Sequence, residues 1–366
     1  MKVYYYHTIG AQVVFSKWQQ GLLPAHLLYG AIHLRDLGMD VTFHQAMKTN
    51  SRWRLSLDTA WKVWRRRKSI DVVYATTFRG LELIVFLRAL HLFHKPIVCW
   101  HHQPIVKAKN PLREIIARFF YKGFDELLFF SEKIVEDSKR SVKANPAHMH
   151  IVHWGADLPF YDQLVATMPR NIPHRGFVST GKERRDMPTL VAAFNKTEEP
   201  LDIYICRETN GFSYEHLFNQ LTVNSNIQVH FIQGDVLLAM AKNVYASQCA
   251  VICCQETNYT VGLTTVVEAL ALGIPMICSR NPQMPMDLEQ EKCGILVDYG
   301  DVEGWKKAIE YISSHPEDAA AMGRRGRALA ERLYNERQCG EEVAEILHAL
   351  PVRKSLLSLM SMMLRS

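Results

Sequence analysis

The residues with the clearest chemical potential lie in the segment 253–277, which reads CCQETNYTVGLTTVVEALALGIPMI. An apolar strand leads into a polar loop, and Gly262 precedes a helix that carries Glu268. The first turn of a helix has free backbone amides and the positive end of the helix dipole, and both favour a diphosphate. A carboxylate one turn further along can accept hydrogen bonds from a ribose diol. The segment therefore predicts a nucleotide site, and the alternative is an ordinary capped helix with a solvated glutamate.

The elements around this segment alternate between strands and helices along the chain. Short apolar runs such as 2–7 and 249–254 predict buried strands, and amphipathic stretches between them predict helices. We expect helices over 27–37 and 58–67, and a long polar helical stretch over about 316–350. This alternation predicts parallel βαβ units, and therefore an α/β fold with two doubly wound, Rossmann-like sheets.

A segment of mixed polarity, 162–174, contains two prolines and is predicted to be the linker between the two sheets. We expect residues 1–165 and 166–340 to form two Rossmann-like domains. Residues 341–366 are predicted to form a C-terminal helix and tail that pack back on the first domain or on a membrane. Ligands of open α/β sheets bind beyond the carboxyl ends of the strands. Both domains are therefore expected to face one central cleft.

Composition excludes several classes of protein. Hydrophobic residues make up 48% of the 366 residues and charged residues 22%, which excludes a disordered chain. The sequence contains no run of 18 uncharged apolar residues, so it predicts no membrane-spanning helix. The first ten residues do not resemble a secretory signal. The eight cysteines form no CxxC pair, which disfavours a zinc knuckle and a disulfide framework and predicts a reduced cytosolic compartment.

The charge is distributed unevenly along the chain. Residues 1–150 carry 23 Lys and Arg against 11 Asp and Glu, a net charge of +12, whereas the whole chain has +6 and the remainder −6. This excess indicates that the first half meets an anionic partner. Three kinds of partner carry negative charge: nucleic acid, an anionic membrane surface and a phosphorylated substrate. The alternative is that the basic residues form an ordinary solvated surface.

The segment 253–277 resembles the C-terminal signature of the retaining nucleotide-sugar glycosyltransferases of family four, which have the GT-B fold. That signature reads approximately Glu-Gly-Phe-Gly-Leu…Glu-Ala-Met-Ala-Cys-Gly-x-Pro-Val-Ile, and this chain has GL followed by EALALGIPMI. The family's first glutamate, which contacts the donor sugar, is replaced by Thr260, and Glu256 is the other candidate for that role. The resemblance implies an enzyme of the bacterial polysaccharide type with these donor-binding residues: Thr260, Gly262, Leu263, Thr264 and Glu268.

The basic segment 177–194, FVSTGKERRDMPTLVAAF, resembles the opening of the family's second domain, in which a strand is followed by a glycine, a basic residue and a helix. The resemblance implies that Gly181 lets the backbone approach a phosphate. It also implies that Lys182 and Arg185 hold the diphosphate, with Arg184 as the alternative to Arg185. Arginine suits this role because its planar fork forms two parallel hydrogen bonds. The alternative is a solvated basic loop.

The segment 95–104, KPIVCWHHQP, resembles the family's strand that ends in a histidine facing the donor. By position this histidine is His102, with His101 adjacent. A neutral imidazole there can form a hydrogen bond with a sugar hydroxyl or stabilise a developing charge. His102 therefore joins Lys182 and Arg185 as the predicted catalytic residues, and the alternative is a strand end that is merely polar.

Two segments predict contact with a membrane surface. The segment 52–68, RWRLSLDTAWKVWRRRK, combines three tryptophans with seven basic residues, and 354–365, KSLLSLMSMMLR, is apolar between cations and too short to span a bilayer. Both compositions suit an interfacial segment on an anionic bilayer. The alternatives are a helix that packs its tryptophans on the sheet and a frayed chain end.

The residues and the resemblance together predict a glycosyltransferase, and the resemblance implies that it needs no metal; no cofactor is expected. It would move a hexose-type sugar from a nucleoside diphosphate to a hydroxyl of a growing glycan, with a lipid-linked acceptor, at the cytoplasmic face of the membrane and without nucleic acid. The resemblance implies an N-terminal acceptor domain, a C-terminal donor domain and retention of the anomeric configuration. The alternatives are a nucleotide-sugar epimerase of the same fold and a non-catalytic scaffold that binds nucleotide-sugar. A nicotinamide dehydrogenase is disfavoured because no GxGxxG follows the first strand.

Overall fold

The computed structural model describes residues 1–169, 172–181, 183–209, 211–233 and 237–351. The first half forms a parallel sheet with the strand order β2-β1-β3-β4-β5-β6. Its strands are β1 (Lys2–Tyr6), β2 (Asp40–Phe43), β3 (Val72–Ala75), β4 (Ile97–His101), β5 (Glu126–Phe129) and β6 (Met149–Ile151). Its helices are α1 (Ala11–Gln19), α2 (Arg52–Arg66), α3 (Glu82–Ala89), α4 (Pro111–Tyr121) and α5 (Glu132–Lys139).

Helix α6 (Leu158–Ala166) leads into a second parallel sheet with the order β11-β8-β7-β12-β13-β14. The strands of this half are β7 (Phe177–Thr180), β8 (Leu201–Cys206), the short hairpin β9 (Glu208–Thr209) and β10 (Phe212–Ser213), β11 (Ile227–Ile232), β12 (Cys249–Ile252), β13 (Met276–Ser279) and β14 (Gly294–Val297). The helices are α7 (Met187–Phe194), α8 (Tyr214–Phe218), α9 (Leu237–Ala246), α10 (Leu263–Leu272), α11 (Val302–Ser314), α12 (Pro316–Arg332) and α13 (Glu336–Ala349).

The prediction of two doubly wound parallel sheets is confirmed. Central strands such as β3 (VVYA) and β12 (CAVI) are buried along their whole length, as expected for strands covered by helices on both faces. In each sheet the strand order reverses once, between β1 and β3 in the first and between β7 and β12 in the second. These two switch points leave crevices at the carboxyl ends of the strands, where ligands of such folds bind.

The helix predicted over 27–37 is wrong. The structure has a short 3₁₀ turn, Ala25–Leu28, followed by a series of turns. Tyr29 and Gly30 both have left-handed backbone angles, with φ of 52° and 77°, and these interrupt an α-helix. Gly30 packs against α13, because a Cβ atom on it would lie 2.7 Å from the Cα of Gly340.

Three predicted boundaries also differ from the structure. Helix α2 begins at Arg52 and not at residue 58, because the Ser51 side chain caps it by accepting a hydrogen bond from the amide of Arg54. The first residues of the predicted linker belong to α6. The polar stretch 316–350 is divided into α12 and α13, and Asn335 caps the second of these helices.

Helices α6 and α13 connect the two halves of the molecule. The carboxylate of Asp157, which caps α6, also accepts hydrogen bonds from the backbone N–H of Ala25 at 2.7 Å and from Trp18 Nε1 at 3.1 Å. At the start of α13, Glu336 accepts a hydrogen bond from the backbone N–H of Gly30 at 2.8 Å, and burial raises the pKa of its carboxyl well above the usual range. Helix α13 therefore packs on the first half, whereas the predicted tail 352–366 lies outside the described residues.

Candidate functional site

The structure brings together the two loops that follow β7 and β12, at the switch point of the second sheet. Gly181 and Gly262 both have positive φ, at 110° and 91°. A Cβ atom on Gly181 would clash with the guanidinium of Arg185, and one on Gly262 would lie 2.9 Å from Ile252 Cγ2. Each glycine is therefore required by both its backbone angle and its close packing. Both glycines lie beside the Arg185 guanidinium, whereas their predicted role in donor binding stays a prediction.

Arg185 lies beneath these loops and is only 4% exposed. Its Nε donates to the carbonyl of Thr180 at 3.0 Å, its Nη1 to the carbonyl of Glu183 at 3.2 Å and to Cys254 Sγ at 3.3 Å, and its Nη2 to Thr265 Oγ1 at 3.1 Å. Four of its N–H groups thus fasten the β7 loop to the β12 loop and to α10. Among the described residues Arg185 forms no ion pair with a carboxylate, so its charge is not neutralised by a neighbouring acid.

The N-terminus of α10 lies in the same place. Its first helical hydrogen bond runs from the amide of Val266 to the carbonyl of Gly262, at 3.0 Å. The backbone N–H groups of Thr264 and Thr265 have no acceptor within the described part of the chain. Free amides at a helix N-terminus, with a buried guanidinium close by, form a site of positive potential for an anion.

Glu268 projects from the next turn of α10 and is 8% exposed. Its carboxylate has no hydrogen-bond partner among the described residues. Burial raises the pKa of this carboxyl to about 8, so it is largely protonated at pH 7 in the free protein. Burial raises the pKa of the phenol of Tyr161, on α6. The nearby charge of Glu268 raises it further. A buried acid without a partner is unfavourable for folding and is typical of a binding position.

The other predicted donor residues have distinct environments. The carbonyl of Thr260 accepts a hydrogen bond from the amide of Leu263 at 3.2 Å, and the Leu263 side chain is buried in the core. Glu256 is exposed in the polar loop that precedes them. Arg184 is also exposed, and its backbone carbonyl accepts from the amide of Gln255 at 2.9 Å. Lys182 lies outside the described residues, so its predicted role stays a prediction.

The two adjacent histidines after β4 have different positions. His101 is buried within an aromatic cluster, with ring centroids 5.4 Å from Phe124 and 5.6 Å from Phe129. His102 is exposed, and its Nε2 donates to the carbonyl of Thr76 at 2.9 Å. Enough protein surrounds the His102 imidazole that burial lowers its pKa. Of the two, only His102 is exposed, and it contacts the end of β3, one of the two strands at the switch point of the first sheet.

Sequence reasoning missed His7, which lies at the carboxyl end of β1 beside this switch point. Its ring and that of His102 both contact the ring of Tyr29, each at a centroid distance of 5.9 Å. Burial lowers the pKa of the His7 imidazole to about 4, and His102 contributes to the same direction. His7 could have been identified from sequence, because it directly follows the first strand of a predicted doubly wound sheet, where ligands of such folds bind.

Within the described residues, no group of three or more His, Cys, Asp or Glu side chains converges on a possible metal position. The eight cysteines are free thiols, and all but Cys206 are buried. No helix in the part of the chain that the structure describes combines the length and apolar character needed to cross a membrane.

Residues 177–329 match the family described as "Glycosyl transferases group 1". Two curated relatives match shorter segments. The D-inositol 3-phosphate glycosyltransferase of Saccharomonospora viridis is 32% identical over 90 residues, which are 25% of this chain and 20% of that protein. The GDP-mannose-dependent alpha-(1-6)-phosphatidylinositol monomannoside mannosyltransferase of Mycolicibacterium smegmatis is 35% identical over 81 residues, which are 22% of this chain and 21% of that protein. The chain thus aligns with about a fifth of the length of each relative.

Solved structures resemble the chain over nearly its whole length. Anabaena HepE in complex with UDP-glucose has a TM-score of 0.66 at 13% identity, covering 96% of this chain and all of HepE. Sucrose-phosphate synthase from Thermosynechococcus elongatus has a TM-score of 0.71 at 15% identity, covering 96% of this chain and 99% of that one. At these identities the likeness shows the fold, and the prediction of a GT-B fold is confirmed.

Proposed function

We propose that this chain, whose residues 177–329 match the glycosyl transferases group 1 family, transfers a sugar from a nucleoside diphosphate to a hydroxyl group of a glycan. One observation carries the proposal. Two positive-φ glycines and the free amides of α10 meet at a sheet switch point, above the buried and unneutralised Arg185. This arrangement provides positive potential and close backbone approach, which a diphosphate requires. The solved structure of HepE, a protein of the same fold, binds UDP-glucose.

The leaving diphosphate gains negative charge as the glycosidic bond breaks. In the proposed mechanism the α10 amides, Arg185 and the predicted Lys182 stabilise that charge without a metal ion, and this electrostatic contribution is usually the largest in catalysis. Glu268 accepts hydrogen bonds from the ribose diol, and His102 forms a hydrogen bond with a sugar hydroxyl. We further propose retention of the anomeric configuration, with no protein nucleophile.

Direct measurement of nucleotide binding tests the donor site. Calorimetric titration with UDP and with GDP should show saturable binding of one of them to the protein without added metal. Binding should release protons at pH 7, because ribose hydroxyl groups favour the ionised form of Glu268 over the protonated form. Absence of binding of either nucleotide, with and without magnesium, would contradict the proposal.

The acceptor is proposed to be lipid-linked, at the cytoplasmic face of a membrane, in polysaccharide assembly. Two helices of the basic first half support this proposal. On α2, Trp53 and Trp61 are 68% and 62% exposed, so these tryptophans do not pack on the sheet. On α4, Leu112 and Ile115 are 66% and 65% exposed. Exposed apolar side chains among many cations are typical of an interfacial surface on anionic lipid.

Vesicle binding should therefore depend on charge. Replacement of Arg65, Arg66 and Arg67 by serine should reduce co-sedimentation with anionic vesicles, because each cation near such a surface contributes about 1 kcal/mol. Wild-type binding should also fall as salt is raised, because salt screens exposed charges.

The matched control replaces two exposed cations of the second domain, Lys307 and Arg324, with serine and should leave vesicle binding unchanged. Equal binding of the wild type to neutral and anionic vesicles, or no binding at low salt, would contradict membrane docking. The transferase proposal would survive that result, with a soluble acceptor.

A further inference from the structure

Two imidazoles, His7 and His102, share one aromatic neighbour at the switch point of the first sheet. The His102 ring stacks on Tyr29 with an interplanar angle of 23°, and the His7 ring meets the same tyrosine nearly edge-on, at 61°. Tyr29 is held in its left-handed backbone conformation, and its carbonyl accepts a hydrogen bond from the Tyr74 hydroxyl at 2.6 Å. The two histidines are therefore held on a fixed aromatic support, although 95 residues separate them in sequence.

The backbone contacts of each ring assign its tautomer. The amide of Ile9 donates to His7 Nδ1 at 2.9 Å, so the proton of a neutral His7 is on Nε2. His102 donates through Nε2 to the carbonyl of Thr76, so Nδ1 of a neutral His102 is an acceptor. Burial lowers the pKa of each imidazole, which favours the neutral form of both rings.

This pair has one free donor, His7 Nε2–H, and one free acceptor, His102 Nδ1, and neither atom has a partner among the described residues. A hydroxyl group is itself both a donor and an acceptor. We propose that His7 and His102 together bind the hydroxyl groups of the transferred sugar, with His7 as the donor and His102 as the acceptor. This assignment rests on the proposed function, because it requires a sugar between the two domains.

Two substitutions of His7 separate a sugar-binding role from a structural one. In His7→Asn the side-chain carbonyl can still accept from the amide two residues ahead, as in an Asx turn, but the Nε2–H donor is lost. In His7→Gln the longer amide group can place an N–H where Nε2–H was, but the Nδ1 acceptor is lost. His94→Gln, at an exposed histidine of the same domain, is the matched control.

Calorimetry should compare UDP, GDP, UDP-glucose and GDP-mannose on these proteins. For the nucleotide-sugar that binds the wild type, His7→Asn should weaken affinity about tenfold, whereas His7→Gln and the control should remain within about twofold. Affinity for the matching free nucleotide should not change. A general loss of folding would weaken the binding of both ligands. A loss confined to the nucleotide-sugar therefore reports on the sugar contact alone.

The opposite order, with Asn tolerated and Gln damaging, would assign His7 to loop structure and overturn the proposal. Equal losses for nucleotide and nucleotide-sugar, or unchanged affinity in both variants, would overturn it as well. If UDP and GDP both fail to bind the wild type, the proposed function fails first and this assignment falls with it.

Discussion

Replacing Arg185 with alanine is expected to lower the rate of sugar transfer about 10²–10³-fold, the usual effect of removing one charge-stabilising donor. The guanidinium is buried beneath Gly181 and Gly262, and four of its N–H groups hold the loops after β7 and β12 together. The alanine variant therefore loses both the positive charge and the geometry of the amides. Initial rates with saturating donor, measured beside circular dichroism and thermal unfolding, give the result.

Arg185→Lys separates the two effects, because lysine keeps the charge but not the planar fork. We expect it to fold and to recover only part of the rate. Arg324→Ala, at an exposed arginine of α12, is the matched control and should be fully active. A folded Arg185→Ala protein with a near-normal rate would show that the guanidinium has no part in diphosphate binding or in the assembly of the site.

Glu268→Gln is expected to weaken binding of UDP or GDP by about 1–3 kcal/mol, because a charge-assisted hydrogen bond to the ribose is lost. The same substitution should stabilise the free protein at alkaline pH. The folded chain raises the pKa of this carboxyl from its usual 4.5 to about 8. Between these two values the folded protein retains a proton that the unfolded chain has released. Its contribution to stability is therefore present below pH ~4.5 and is lost as the pH rises through about 8.

Thermal unfolding at pH 6 and pH 8.5, with calorimetry at the same two values, measures both effects. The glutamine variant should gain stability over the wild type as the pH rises, by about 1–3 kcal/mol at pH 8.5 for a buried acid of this kind. Glu331→Gln, at an exposed acid of α12, should show neither change. Unchanged nucleotide affinity would show that Glu268 is only a helix residue, whatever its effect on stability.

The part of the candidate site in the second sheet could be predicted from sequence because its features are local. Gly262 and Glu268 lie on one helix, and their spacing alone places a carboxylate one turn behind free amides. Gly181 directly follows a strand of strong apolar pattern. The burial of Arg185 could not be predicted from sequence, because its four hydrogen-bond partners come from three separate segments. A basic loop in sequence does not show which of its cations points inward.

The part of the candidate site in the first sheet was harder to predict because its geometry depends on tertiary contacts. The helical pattern over 27–37 gives way to turns, since Gly30 must approach Gly340 of a helix 310 residues later in the chain. That departure also sets Tyr29 between His7 and His102. Local periodicity does not include such contacts, and it is the strand order that places the ends of β1 and β4 on either side of β3.

The central claim is transfer of a sugar from a nucleoside diphosphate, and a donor panel tests it most directly. The protein should be incubated with UDP- and GDP-sugars, with and without membrane lipid, while the nucleoside diphosphate and the sugar products are both quantified. We predict that one donor releases its nucleoside diphosphate and that its sugar is recovered, with the anomeric configuration retained, in a lipid-linked or glycan product. Conversion of the donor to an epimer without transfer, or binding of a nucleotide-sugar without turnover under any of these conditions, would contradict the account.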